Sequence, residues 1–130
     1  MSEVTARAAV DSEVSDTAVH RASTEPIDSV VKFLVELLGT KLVAYLADVD
    51  VSTINRWASA SNKPKLETEV KLRNTIQIAR ELLQVDANYT VRAWFIGMNP
   101  QLDDEAPIDM IREGNHRAVI AAARSFIKSA

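Results

Sequence analysis

The chain has 130 residues, 47% of them hydrophobic, with a formal net charge of −3. That suffices for one domain with a modest core; the lack of cysteine excludes a disulfide framework and a thiolate metal site, and no apolar run approaches the roughly 18 residues of a membrane span. Three glycines, four prolines and 5% aromatics favour helices over a sandwich or barrel, so the expected fold class is all-α.

In chain order, residues 1–25 alternate small, polar and acidic side chains and read as a disordered tail or a fraying helix, with His20 solvent-exposed. They lack the basic start and apolar centre of a signal peptide, and the expected location is cytoplasmic. Pro26 suits the start of a helix. Ile27, Val30, Val31, Leu34, Leu37 and Leu38 then recur at amphipathic-helix spacing, and Gly39 stops the run. Thr40 is the expected cap of a short helix over 41–47 that buries Leu42, Val43 and Leu46. Asp48-Val49-Asp50 interrupts it, and Asp50 fits the N-cap of a third helix over 51–60. Residues 61–65 read as a loop. A long helix over 67–83 follows, with Val70, Ile76, Ala79, Leu82 and Leu83 inward. Residues 86–89 form a turn, 90–96 a short helix ended by Gly97, 99–106 a loop and 107–112 a helix opened by Pro107. Asn115 is the expected cap of the last helix, 116–128, which buries Val119, Ile120, Ala123, Phe126 and Ile127.

Charge is unevenly spread. Residues 1–25 carry five acids and two bases. Residues 56–80 carry six bases against Glu67 and Glu69, whereas 81–114 carry seven acids against Arg92 and Arg112. Such asymmetry points to two surfaces for two kinds of partner.

The second and third helices fit a helix-turn-helix. Ala44 supplies the small residue where the helices meet, and Val43, Ala47, Val49, Ile54 and Trp57 occupy the buried spacings. Asp48 stands where the turn needs a residue that tolerates positive φ, usually glycine. Trp57 reads as a core plug rather than a base-stacking platform, which would require exposure. An ordinary helical hairpin is the competing reading. As a DNA reader, the third helix would present Ser52, Thr53, Asn55 and Arg56 to base edges in the major groove. Lys63, Lys65, Lys71 and Arg73 would contact phosphates, which supply affinity without sequence information. One such unit binds weakly, so a homodimer or higher oligomer is expected.

Downstream, Asn99-Pro100-Gln101-Leu102 reads as a turn and Pro107 restarts a helix. Arg56-Trp57 closing the helix pair, then Ala93-Trp94, Asn99-Pro100-x-Leu102, Pro107-Ile108-Asp109, Ile111 and Gly114, resemble the Xre/MbcA/ParS antitoxins. The resemblance covers about residues 27–128. It implies a helix-turn-helix DNA-binding region over 26–85 and a small helical toxin-binding or oligomerisation domain over 86–130. The implied partners are a cognate RES-domain toxin, which consumes NAD, and operator DNA. The implied function is neutralisation of that toxin by direct binding, with repression of the protein's own operon. Asn99, Leu102, Pro107 and Asp109 match the family motif and are expected chiefly to shape the toxin-binding domain. Exposed neighbours Asp103, Asp104, Glu105, Arg112 and the terminal stretch from Arg124 complete the expected toxin-binding surface. Two departures stand out: Asp48 replaces the commoner glycine, and Ala58-Ser59-Ala60-Ser61 follows the Arg-Trp pair where the family often has glycine.

Other chemistry has little support. Asp103-Asp104-Glu105 lacks the spaced oxygen ligands of a calcium loop and reads as solvated or as attractive to a basic partner, so no metal site is expected. Asn88-Tyr89-Thr90 matches a glycosylation acceptor by chance in the absence of a secretion signal. Two histidines, no cysteine and no nucleophile–base pairing argue against an enzyme, and no cofactor is expected. His116, near a helix start, reads as exposed. Two further readings stay open: a transcription regulator whose residues 86–130 only dimerise, and a protein-interaction module that no longer reads DNA.

Overall fold

The computed structural model describes residues 24–130, which are helical without a strand among them. The expectations for residues 1–23, His20 included, lie outside the described residues. The order is α1 (Ile27–Leu38), α2 (Thr40–Ala47), α3 (Val51–Ala58), α4 (Leu66–Leu83), α5 (Asn88–Ile96), a 3-10 turn (Pro100–Leu102), α6 (Pro107–Arg112) and α7 (His116–Ser129).

All six apolar residues expected inward on α1 are buried. Gly39 ends the helix with φ 92° and ψ 150°, a region open in practice to glycine alone, and its N–H reaches the Val35 carbonyl at 2.8 Å. That kink lets α2 begin at once. Thr40 is therefore not the cap: it is the first helical residue, and Gly39 occupies the capping position without a side chain.

Helices α2, α3 and α6 end in one shared way. The left-handed residue after each bonds back three positions, and the next residue bonds back five. Asp48 and Val49 bond to the Tyr45 and Ala44 carbonyls, Ala60 and Ser61 to Trp57 and Arg56, and Gly114 and Asn115 to Ile111 and Met110. This is the Schellman arrangement, which satisfies otherwise orphaned carbonyls. The left-handed positions are Asp48 (φ 56°), Ala60 (φ 61°) and Gly114 (φ 91°). The motif explains why α3 stops at Ala58 instead of reaching residue 60. It also takes up the Asn115 backbone, and the Asn115 side chain makes no capping bond to α7.

On α4 the inward stripe runs through Leu72, Ile76, Ala79 and Leu82. Val70, expected inward, is exposed. The helix is gripped by α1 on one side and α7 on another, and two residues before Leu72 is about 200° around the axis. Ile78 and Thr75 are buried as well, because more than one face is covered. Leu83 is half-buried, as are Leu42 on α2 and Ile120, Phe126 and Ile127 on α7; Ala122, not anticipated, is buried.

One cluster of buried side chains runs through the whole of this structure. It joins Val30 and Leu34 of α1, Ile54 and Trp57 of α3 and Ile76 of α4 to Phe95 of α5, Ile111 of α6 and Val119 of α7. Helix α4 touches α1, α2, α5 and α7. Glu25, expected in the tail, belongs to the fold. Its carboxylate lies 2.7 Å from the buried Arg80 guanidinium, and its carbonyl accepts from Arg73 at 2.6 Å. Arg80 also stacks 4.9 Å from the Phe33 ring centroid. A buried arginine requires such partners, since an unpaired charge in the interior is strongly destabilising.

Candidate functional site

Helix α3 buries Ile54 and Trp57 and turns its other side to solvent. Ser52, Asn55 and Arg56 are exposed and Thr53 is half-buried. Asp50 organises the start. One carboxylate oxygen accepts from the Thr53 N–H at 2.8 Å, the Thr53 hydroxyl at 2.7 Å and the Ser52 hydroxyl at 2.9 Å. The Thr53 hydroxyl oxygen in turn accepts from Arg56 at 3.0 Å. Ser52 and Thr53, two of the four expected base readers, thus donate to Asp50, and Arg56 donates to Thr53, while Ser52, Asn55 and Arg56 stay exposed. Loop residues Lys63 and Lys65 are exposed beside them in sequence. Lys71 and Arg73, expected on phosphates, are instead spent on the fold. Lys71 donates to the Arg112 carbonyl at 2.9 Å, and Arg73 pairs with Glu69 at 3.1 Å.

Hydrogen bonds from the Thr53 side chain and backbone, then from Ser52, hold the Asp50 carboxyl down to about 2 from its ordinary 3.8. A depressed carboxylate stabilises the fold above its unfolded-state pKa and loses that contribution as pH falls through the folded value. The α3 start is therefore expected to loosen between about pH 4 and pH 2. Amide exchange at Thr53 checks this, and Asp50→Asn removes the pH dependence.

A second cluster ties the corner of the α2–α3 pair to α6. Arg112 donates to the Tyr45 carbonyl and to the Asp48 carboxylate, each at 2.8 Å. Its guanidinium lies 4.4 Å from the Tyr45 ring centroid, and the Tyr45 hydroxyl donates to Asp109. That bond, above all, raises the Tyr45 phenol above 10.0. Arg112, expected among the toxin contacts, and Asp109, expected to shape the domain, thus join in a surface latch within the chain. The sequence reading missed Tyr45, whose partners are 64 and 67 positions away. Arg112→Ala is expected to cost about 1–2 kcal/mol, discounted because the pair is partly solvated. Urea unfolding with an unchanged m-value checks it, and Arg112→Lys recovers little because lysine lacks the planar fork.

Beyond α5, Asn99 is buried and holds the following loop. Its side-chain oxygen accepts from the Gln101 N–H at 2.9 Å. Its carbonyl accepts from Leu102 and Asp104, and its N–H donates to the Glu105 carbonyl. Leu102 is buried. Asp103 and Asp104 both adopt left-handed backbone, φ 54° and 66°, and stand exposed with Glu105. Arg124 reaches from α7 to the buried Glu81 at 3.1 Å. Between α5, the 3-10 turn and α7 lies a cleft of about 350 Å³, lined by Trp94, Gly97, Met98, Pro100 and Phe126 among others. A groove of about 270 Å³ between α4 and the α6–α7 junction holds His116, which is half-buried rather than exposed.

Among the described residues no group of three or more histidines and acids is placed to hold a metal ion, and no helix is long and apolar enough to cross a membrane. No protein-family model, curated protein or solved structure matches this chain.

Proposed function

We propose that the chain is an antitoxin-like transcription regulator, a binding protein rather than an enzyme. It reads operator DNA through α3 and holds a protein partner through residues 86–130. The observation that carries this reading is the α2–α3 pair: a left-handed corner at Asp48, an Asp50-capped start, and Asn55 and Arg56 exposed above buried Ile54 and Trp57. That is the arrangement a major-groove helix needs. Exposed Lys63 and Lys65 supply phosphate contacts, and the excess of acids over 81–114 suits a different, basic partner. The resemblance to the Xre/MbcA/ParS antitoxins makes that partner a RES-domain toxin, whose NAD-consuming activity this chain blocks.

The test is co-expression with the neighbouring reading frame. Its product is expected to arrest growth alone, to be harmless with this chain, and to co-purify with it. A neighbour that is harmless alone, or that does not co-purify, removes the antitoxin reading. A salt-dependent operator shift without any protein partner would then favour a simple regulator whose residues 86–130 dimerise.

A further inference from the structure

Helix α5 is apolar on two sides. Val91 and Phe95 face the core, yet Tyr89 is 79% exposed and Ile96 48% exposed. With the exposed Ala93 they recur at i, i+4 and i+7, a single helical stripe. Ala93 also lines the cleft between α5 and α7, where Met98 is 81% exposed. Trp94 and Phe126, with ring centroids 6.4 Å apart, line its interior. Apolar surface of this kind, grouped rather than scattered, marks a docking site. Adaptable methionine and aromatic side chains are its usual components.

Charge selects the occupant. The loop that follows the cleft carries Asp103, Asp104 and Glu105, and the hydrogen bonds of Asn99 hold it in place. That loop adjoins the cleft, because Asn99 lines the cleft and its backbone bonds to Asp104 and Glu105, so its carboxylates favour a cationic segment and repel an anionic one. Nucleic acid and anionic lipid are repelled for the same reason. The exposed bases next in sequence to cleft residues are Arg92 on α5 and Arg124 and Lys128 on α7, and Arg124 is already paired with Glu81.

We infer that the α5 stripe and its cleft dock a protein segment that inserts large apolar side chains and carries lysine or arginine toward the acidic loop. The inference rests on the reading that residues 86–130 hold a protein partner, and it names where and by what chemistry.

The test follows the methyl resonance of Met98 in the full chain, whose other methionines are Met1 and Met110. The probe is an acetylated hexapeptide with a central leucine–phenylalanine pair flanked by lysines; the control has glutamates in their place. The lysine peptide is expected to shift Met98 saturably, with about tenfold tighter binding than the control. Asp103→Asn/Asp104→Asn/Glu105→Gln erases that preference, asparagine being tolerated in left-handed backbone. Met98→Glu abolishes binding while helicity is retained. A missing shift, or equal response to both peptides, overturns the inference. So does a Met98 shift that depends on protein concentration alone, which assigns the patch to a second copy. None of these outcomes alters whether the neighbouring product co-purifies, so the two readings fail separately.

Discussion

Replacing Phe95 by alanine is expected to cost about 3–5 kcal/mol, the range for emptying an aromatic site in a packed core. Phe95 is fully buried, with Trp94 edge-on to it at 5.4 Å between centroids. Domains of this size have roughly 5–15 kcal/mol in all, so the variant should be barely folded at 37 °C. The informative part is how it unfolds. Phe95 belongs to the second half of the chain, but it contributes to the same core as Trp57. Fluorescence of both tryptophans, near-ultraviolet dichroism and calorimetry should therefore report one shared transition, displaced as a whole. A transition at Trp94 that moves while Trp57 holds its midpoint would show two independently folding units.

The second large effect falls on DNA. Asn55→Ala and Arg56→Ala should each weaken operator binding by about 1–3 kcal/mol, because each removes a contact able to distinguish one base from another. Binding to unrelated sequences should change less with Asn55→Ala, which alters no charge. Lys63→Ala should act differently, weakening all sequences alike and lowering the salt slope by about one. All three residues are exposed, so thermal stability should stay within about 0.5 kcal/mol. A mobility-shift series across salt concentrations separates these outcomes. Unchanged repression by the Asn55→Ala/Arg56→Ala double variant would favour an interaction module that does not read DNA.

Asp48 and Ala60, where the antitoxins that the chain resembles often have glycine, acquire physical meaning in the structure. The backbone at Asp48 is left-handed, as glycine would allow, but aspartate adds a carboxylate that Arg112 grips. At Ala60 the same backbone carries only a methyl group, which can make no such bond. The first substitution has a use, and the second is a cost the Schellman bonds sustain.

Local chemistry was enough to establish much of this protein from its residues alone. Periodicity marked α1 and its six buried side chains, Pro107 marked the start of α6, and Asp50 its own capping role. Such signals act within a turn or two of helix, where neighbouring residues set geometry and hydrogen bonding. Tertiary structure decided the rest. Val70 is exposed and Leu72 buried because of where α1 and α7 press on α4. Lys71, Arg73, Asp109 and Arg112 read as charges free for a partner in isolation, yet each is engaged within the chain. Their partners lie as far as 67 positions away along the chain. A charged side chain carries no mark of whether water or a distant carbonyl will satisfy it. Only the folded arrangement, which brings a distant carbonyl or carboxylate within hydrogen-bond reach, assigns one role or the other.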